Sequence, residues 1–323
     1  MTFTHRPIQY RRTAQYACIY WIEVLVTNVK LWVDGRRRTF ALHLPAMPKP
    51  DLPLLLVLHG HRSSLLGPLQ RSVESRGQRT AGFGPCIERY DIAVAYPDAY
   101  TGRWADGRGV SRDEQRGVDD VAFLRAVAEH CADRFGTCGS DVLVAGISNG
   151  AFMAHRMALE AADLVTAFLS IAGGLPAALT DVRPTHAVSA LLINGTADRI
   201  VPIGGGHSRR RGPNDELLGR TLSLTESAQH WAELDRCAGE AVVEQTPAGP
   251  GPADLAVTRH TASAGVGGTR VAAWSIDGMG HTWPGTPAPA FMESLLGKTP
   301  QNIDAADEFC RFALRANPGD RRL

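Results

Sequence analysis

The sequence has no excess of charge of either sign and no long apolar run. Its 323 residues include 34 Lys and Arg and 33 Asp and Glu, which gives a formal net charge of +1 at pH 7. A chain so balanced has no bulk electrostatic attraction for nucleic acid or an anionic membrane surface. The most apolar early stretch, residues 16–26, contains Glu23 and is shorter than the ~18 apolar residues that cross a bilayer. We therefore expect neither a nucleic-acid partner nor a membrane span.

Cysteine is scarce and scattered along the chain. The six cysteines form no Cys-x-x-Cys pair and no Cys/His cluster with the spacing of zinc ligands, so the sequence predicts no metal site. A free cysteine in a large intracellular protein is usually a small buried hydrophobe, and we expect that role here. The short separation between Cys131 and Cys138 leaves a local disulfide as the alternative.

The first 27 residues are predicted to be an N-terminal extension to which the sequence assigns no role. Arg11 and Arg12 resemble the basic start of an export signal, but Glu23 interrupts the apolar part and no clear small-residue cleavage site follows. A cytoplasmic location is therefore favoured, with secretion as the alternative. The sequence does not determine the oligomeric state.

The rest of the chain, residues 28–318, alternates short apolar runs with helical patterns and is predicted to be one domain. Continuous apolar runs ended by turn residues are typical of strands buried on both faces, and strands that alternate with helices favour a mainly parallel sheet with helices on both faces. A hairpin is predicted across Asp34 and Gly35, and the Gly-rich segments 204–220 and 246–268 are predicted to be surface loops. The predicted strands are Leu54–Leu58, Ile92–Tyr96, Val142–Ala145, Ala167–Ile171, Leu191–Ile193 and Val271–Ile276, and the predicted helices cover 121–131, 149–161, 225–234 and 303–314.

The segment Gly146-Ile147-Ser148-Asn149-Gly150 matches the pattern G-x-S-x-G. The bare pattern is weak evidence, but here it follows an apolar strand and opens a helical run, which is the setting of a nucleophile elbow. Glycines on both sides allow a sharp turn that leaves the serine hydroxyl at the tip of the strand. The start of the helix would also favour negative charge that develops beside the hydroxyl. Ser148 is therefore the candidate nucleophile.

A serine hydroxyl needs a base to remove its proton and a group that orients the base. In the α/β-hydrolase arrangement the acid and then the histidine follow the serine along the chain. Asp198 comes directly after the predicted strand Leu191–Ile193, and His281 lies in a Gly-rich loop after Val271–Ile276. Because ligands and reacting groups collect at the carboxyl ends of parallel strands, we expect Ser148, Asp198 and His281 to form a catalytic triad.

An oxyanion needs hydrogen-bond donors near the nucleophile. We nominate the backbone N–H of Asn149, directly after Ser148, and that of His61, in the loop after the strand Leu54–Leu58. The side chains of His59 and His61 could also be considered as a zinc pair, but no third ligand is evident. Trp104 and Trp283 are candidate substrate contacts because aromatic walls suit acyl or aryl groups, with simple core packing as the equal alternative.

These residues resemble the α/β-hydrolase esterases grouped as the poly(3-hydroxybutyrate) depolymerase family, which includes feruloyl and acetylxylan esterases. The resemblance covers about residues 30–314 and implies the α/β-hydrolase fold for a catalytic domain at 28–318, with Ser148, Asp198 and His281 as its triad. Asn194 stands where the family usually has a histidine. The motifs that carry the resemblance are Leu58-His59-Gly60, Tyr96-Pro97-Asp98, Val118-Asp119-Asp120-Val121, Gly146-Ile147-Ser148-Asn149-Gly150, Gly195-Thr196-Ala197-Asp198 and Gly280-His281-Thr282-Trp283-Pro284-Gly285.

The leading hypothesis is a serine carboxylic-ester hydrolase that needs no metal or organic cofactor and acts on small or oligomeric hydroxyalkanoate esters. Feruloyl or acetylxylan esters are the alternative substrates. A serine peptidase or acyltransferase could use the same three residues. A noncatalytic binding protein on the same scaffold is the alternative of another class, because a fold does not prove a function.

Overall fold

The computed structural model describes residues 25–61, 81–208, 219–238, 241–287 and 290–314. Most of the predicted extension at residues 1–27 lies outside these ranges, and the first described strand begins at Leu25. Among the described residues, no helix has the length and apolar character to cross a bilayer.

The described chain alternates strands and helices. The strands are β1 Leu25–Val33, β2 Arg36–Leu44, β3 Leu52–Leu58, β4 Ala93–Pro97, β5 Thr137–Ile147, β6 Val165–Ile171, β7 Ser189–Gly195, β8 Gly206–His207, β9 Arg220–Thr221, β10 Val242–Thr246, β11 Val257–Ala262 and β12 Val271–Ile276. The helices are α1 Gly84–Tyr90, α2 Arg112–Gln115, α3 Asp120–Phe135, α4 Asn149–Glu160, α5 Leu224–Leu234, α6 Ala290–Leu296 and α7 Ala305–Leu314.

Ten of these strands form one sheet in the order β1-β2-β4-β3-β5-β6-β7-β12-β11-β10. The six central strands, from β4 to β12 in that order, pair in parallel, whereas β1, β2, β10 and β11 pair antiparallel at the two edges. The hairpin predicted across Asp34 and Gly35 joins β1 to β2, and both residues have the positive φ that such a tight turn requires. The parallel centre brings the carboxyl ends of β3, β5, β6, β7 and β12 to one edge of the sheet.

Helices cover both faces of this sheet, as the sequence predicts. Successive residues of β3 alternate between two apolar cores, because side chains of a strand point to opposite faces. One core contains apolar residues of α3, α4 and α5, and the other contains those of α1 and α7. Burial on both faces explains why β3 is a continuous apolar run without polar alternation.

Helix α3, which packs against β5, begins and ends at residues that the sequence marks as caps. The side chain of Asp119 accepts a hydrogen bond of 2.9 Å from Ala122 N and so caps the start of α3. Gly136 ends α3 in the left-handed conformation, at φ 69°, which glycine adopts without a Cβ penalty. These two residues therefore set the start and the end of α3.

One expectation about local structure was wrong, and one alternative is excluded. The segment 246–268 is not entirely a loop, because β11 lies within it and pairs with β12 along six residues. Its Thr, Arg and His residues resemble the composition of a loop, because β11 is the second strand from the edge of the sheet and only Val257 among its residues is buried. The Cys131–Cys138 disulfide is also absent, and both cysteines are free thiols. Cys131 packs in the core on α3, whereas Cys138 lies in β5. Most of the other predicted loop, residues 204–220, lies outside the described residues.

Candidate active site

Ser148 occupies a sharp turn between β5 and α4. Its backbone has φ 56° and ψ −120°, a conformation that non-glycine residues rarely adopt. Such strain costs about 1–3 kcal/mol and persists only where the surroundings enforce it. Here the N–H of Ser148 donates to Ile171 O at 2.9 Å, which ties the turn to the end of β6. The serine residue is half-buried, so part of its surface is open to solvent.

The two glycines around Ser148 allow the turn by close backbone contact. A Cβ on Gly146 would lie 2.1 Å from Gly150 O, and a Cβ on Gly150 would lie 2.2 Å from Leu58 O. Both distances are far inside van der Waals contact, so no larger residue fits without moving backbone. The G-x-S-x-G pattern is therefore a geometric requirement of this strand–turn–helix unit.

His281 and Asp198 are held together at the ends of neighbouring strands. Nδ1 of His281 donates a hydrogen bond of 2.7 Å to Asp198 Oδ2. The other carboxylate oxygen, Oδ1, accepts from the N–H groups of Ile200 at 2.7 Å and Val201 at 2.9 Å. Because the carboxylate accepts a hydrogen bond from Nδ1–H, the proton of a neutral imidazole stays on Nδ1 and the lone pair is on Nε2, which is the nitrogen that can act as a base.

The loops after β7 and β12 are tied together, and this fixes the pair. The N–H of Ala197 donates to Met279 O at 3.0 Å, and that of Thr196 donates to Ile276 O at 3.0 Å. A Cβ on Gly195 would lie 2.1 Å from Met279 O, so the two loops touch backbone to backbone. The N–H of His281 donates to Leu296 O at 2.6 Å, which anchors the histidine to the end of α6.

The structure does not join Ser148 to His281. Within the described residues, no hydrogen bond links the hydroxyl of Ser148 to the imidazole, although both lie at the same edge of the sheet. Catalytic hydrogen bonds of unliganded enzymes are often long and tighten when substrate binds. In this structure His281 and Asp198 therefore form a hydrogen-bonded pair, and Ser148, with its strained backbone, is not hydrogen-bonded to them.

The two nominated oxyanion donors flank Ser148. Asn149 begins α4, where the first-turn N–H groups have no partner inside the helix, and its own N–H follows the serine directly. The loop that carries His61 passes beside the serine, because a Cβ on Gly60 would lie 3.4 Å from the Cβ of Ser148. The imidazole of His61 is exposed and receives a hydrogen bond of 3.4 Å at Nδ1 from Arg103.

His59 uses both ring nitrogens inside the protein. Its Nδ1 donates to Gly60 O at 2.7 Å, and its Nε2 accepts from Ala99 N at 3.1 Å. These two bonds fix the tautomer and leave no lone pair for a metal. His59 therefore braces the loop that carries His61. The described residues contain no group of three or more potential metal ligands.

The two tryptophans nominated as substrate contacts are both buried. Trp104 has no exposed surface, and its ring packs beside that of His59. Trp283 is 5% exposed and packs edge-on against Phe83 in the core that lies under α1 and α7. In this conformation, the packing alternative describes both residues better than substrate contact does.

Several charged side chains that hold the site were not singled out as site residues from the sequence. Asp120 is buried and accepts hydrogen bonds from Arg38 at 2.6 Å and from Ala105 N at 2.7 Å. Burial raises the pKa of Asp120, and the guanidinium of Arg38 opposes this shift. Asp106 is buried as well and forms an ion pair of 2.8 Å with Arg108. Asp120 belongs to the Val-Asp-Asp-Val motif, and this motif is the sequence feature that could have identified it as a residue of the site.

The sheet order, the parallel centre and the serine elbow after β5 define an α/β-hydrolase fold. This is the class of protein to which the described geometry assigns the chain.

The chain is also similar to known proteins along much of its length. No protein-family profile matches it. A protein of Nocardia uniformis subsp. tsuyamanensis named "Putative esterase NocK" is 29% identical over 302 residues, which cover 90% of this chain and 83% of that protein. An acetyl xylan esterase from Aspergillus awamori has a TM-score of 0.49 and 14% identity, over 80% of this chain and 94% of that structure. The S-formylglutathione hydrolase FrmB from Staphylococcus aureus has a TM-score of 0.41 and 15% identity, over 55% of this chain and 79% of that structure.

Proposed function

We propose that this protein is a serine carboxylic-ester hydrolase. The observation that carries the proposal is the strained elbow of Ser148 at the same edge of the sheet as the hydrogen-bonded pair of His281 and Asp198. Backbone strain of this kind is concentrated at functional sites, because it lowers the stability of the fold and persists where the function requires it. The relative named as an esterase, which is similar over nearly the whole chain, supports the same class of reaction.

The proposed reaction begins when Nε2 of His281 takes the proton of the Ser148 hydroxyl. The serine oxygen then attacks the ester carbonyl, and the tetrahedral intermediate places negative charge on the former carbonyl oxygen. The N–H groups of Asn149 and His61 are the donors proposed for that oxygen. The intermediate expels the alcohol, which takes its proton from the imidazolium, and leaves an acyl group on Ser148.

Water completes the cycle. His281 removes a proton from the water as the water oxygen adds to the acyl carbon, and when the second intermediate collapses the imidazolium returns this proton to the oxygen of Ser148, which releases the acid and restores the serine. Asp198 holds the imidazole in the Nδ1–H tautomer and stabilises the imidazolium, because its Oδ2 accepts the Nδ1 hydrogen. All proton transfers use groups of this chain, so the proposed cycle requires no cofactor.

The substrate class proposed is a small or oligomeric hydroxyalkanoate ester, on the sequence motifs shared with polyhydroxybutyrate depolymerases. Feruloyl and acetylxylan esters are the second class, since the same motifs occur in those esterases. A panel of hydroxybutyrate oligomers, methyl ferulate, acetylated xylan and p-nitrophenyl acyl esters ranks the two classes by kcat/KM.

The activity itself is tested by comparing the wild-type protein with Ser148→Ala on that panel. We expect the variant to lose at least ~10³-fold in kcat while it keeps the wild-type Tm, because removal of the nucleophile leaves only oxyanion and binding contributions. A fluorophosphonate probe should label Ser148 in the folded wild-type protein. An unlabelled serine together with no ester turnover would refute the proposal and favour a noncatalytic binding role.

A further inference from the structure

The backbone and indole N–H groups of Trp104 reach two different segments of the proposed oxyanion hole. The indole Nε1 donates to His59 O at 2.9 Å, and the backbone N–H donates to the side-chain oxygen of Asn149 at 2.8 Å. His59 precedes the proposed donor His61 by two residues, and Asn149 carries the other proposed donor. One buried residue therefore connects the two donor segments.

No β-ladder connects these segments where the donors lie. The pairing of β3 with β5 ends at Leu58 and Gly146, before either donor is reached. Beyond that point the backbone of each segment turns away from the sheet, one into a loop and one into α4. The contacts of Trp104 extend the connection past the end of the ladder.

The loop that carries Trp104 is itself firmly held. The N–H of Ala105 donates to the buried carboxylate of Asp120 at 2.7 Å, and Ala105 O accepts from Arg156 at 2.6 Å. Trp104 has no exposed surface, so its ring is fixed by packing. Both N–H donors of Trp104 therefore belong to a residue whose backbone and ring are held in place. A residue must be held in this way if it is to position another group.

Asn149 is held by the same loop through its amide. Its Nδ2 donates to Asp106 Oδ2 at 2.5 Å and to Trp104 O at 3.3 Å, while its Oδ1 accepts from Trp104 N. The amide is therefore fully engaged with the loop and does not face the site. The Asn side chain orients α4 against residues 104–106, and its backbone N–H is left for chemistry.

We propose that Trp104 is a positioning residue that sets the spacing between the oxyanion donors at His61 and Asn149. The inference rests on the proposed function. Donors stabilise an oxyanion only when both lie about 2.7–3.1 Å from one oxygen, so a small change in their separation weakens the transition state. The role differs from the substrate contact expected from the sequence, because Trp104 would act through its hydrogen bonds to His59 and Asn149.

The test removes the indole N–H while keeping an aromatic ring and the backbone donor. Trp104→Phe loses the bond to His59 O. Trp231→Phe is the matched control, because Trp231 is also fully buried and its indole donates a comparable bond of 3.0 Å to His155, a residue of α4 that carries neither of the proposed oxyanion donors. Both variants lose one buried indole hydrogen bond, so we expect similar losses of Tm.

We expect kcat of Trp104→Phe to fall about 10- to 100-fold with KM changed less than about threefold, since loss of a whole oxyanion donor costs about 10²- to 10³-fold. Affinity for a boronic acid that forms a tetrahedral adduct should fall by the same factor. Trp231→Phe should stay within about twofold of wild type in both measurements. Equal kcat losses in the two variants, or a change confined to KM, would overturn the inference.

A second readout separates this inference from the proposed function. Hydrogen exchange of the backbone amides at residues 59–61 should be faster in Trp104→Phe than in wild type, and unchanged in Trp231→Phe. Unchanged exchange in Trp104→Phe refutes the positioning role whether or not the protein hydrolyses esters. Absence of ester turnover in the wild-type protein refutes the proposed function instead, and the exchange result still decides whether Trp104 connects the two segments.

Discussion

Gly150 is the point where the nucleophile helix touches the strand that leads to the oxyanion loop. A Cβ at this position would lie 2.2 Å from Leu58 O and 2.7 Å from His59 O. Ordinary contact between a carbon and an oxygen begins near ~3.3 Å, so Gly150→Ala must separate α4 from β3 by roughly 1 Å. Because Ser148 and Asn149 precede Gly150 directly, they would move with it.

The expected consequence is a loss of activity larger than the loss of stability. Misplacement of reacting groups by about 1 Å costs about 10²-fold in rate, whereas overpacking typically costs about 1–3 kcal/mol of folding free energy. We therefore expect kcat/KM of Gly150→Ala for p-nitrophenyl acetate to fall about 100-fold while the protein still unfolds cooperatively. The assay pairs steady-state kinetics with thermal unfolding of the same sample.

Gly139→Ala is the control within the same chain. Gly139 lies in β5, and a Cβ there would meet only the Cβ of Ala132 at 3.7 Å, which is ordinary van der Waals contact. This variant should match the wild-type kcat/KM and Tm. If Gly150→Ala also stays within about threefold of wild type, the close approach of α4 and β3 does not position the site and the reasoning fails.

Three further predictions concern charge. Asp198→Asn should lower kcat by about 10³- to 10⁴-fold, because the amide disturbs the Nδ1–H tautomer of His281, and a variant with near-wild-type kcat would remove Asp198 from the triad. Burial raises the pKa of Asp235 from 3.8 to about 6, so its contribution to stability is present below pH 3.8 and is lost as pH rises through 6. Asp235→Asn should therefore be more stable than wild type by about 2–3 kcal/mol in urea unfolding at pH 8 and not at pH 4, and an equal difference at both pH values would contradict this. Burial lowers the pKa of His155 from 6.5 to about 3, so the stability it contributes above pH 6.5 is lost as pH falls towards 3, and His155→Gln should flatten the acid side of the stability profile.

The sequence alone determined the central strands and the order of the site. The apolar runs of β3 and β12 identify strands buried on both faces, because such strands cannot alternate with polar residues. The pattern around Ser148 also fixes its local geometry, since only glycine fits where backbones approach within 2.1–2.2 Å of a Cβ. Chain order then placed Asp198 and His281 at neighbouring strand ends, where they do form a hydrogen bond.

Other features were decided only by the tertiary structure. Strand β11 lies between β12 and the edge strand β10, and most of its side chains are only partly buried, so its composition resembles that of a loop. The sequence made Trp104 a candidate substrate contact. The tertiary structure shows that its indole is buried and donates a hydrogen bond to the backbone oxygen of His59. The periodicity of apolar residues in the sequence shows which face of a helix or strand is buried. The hydrogen-bond partner of a loop side chain, in contrast, is a residue that lies tens of positions away in the sequence. Those partners are set by how the sheet brings distant loops to one edge, and local sequence carries no record of it.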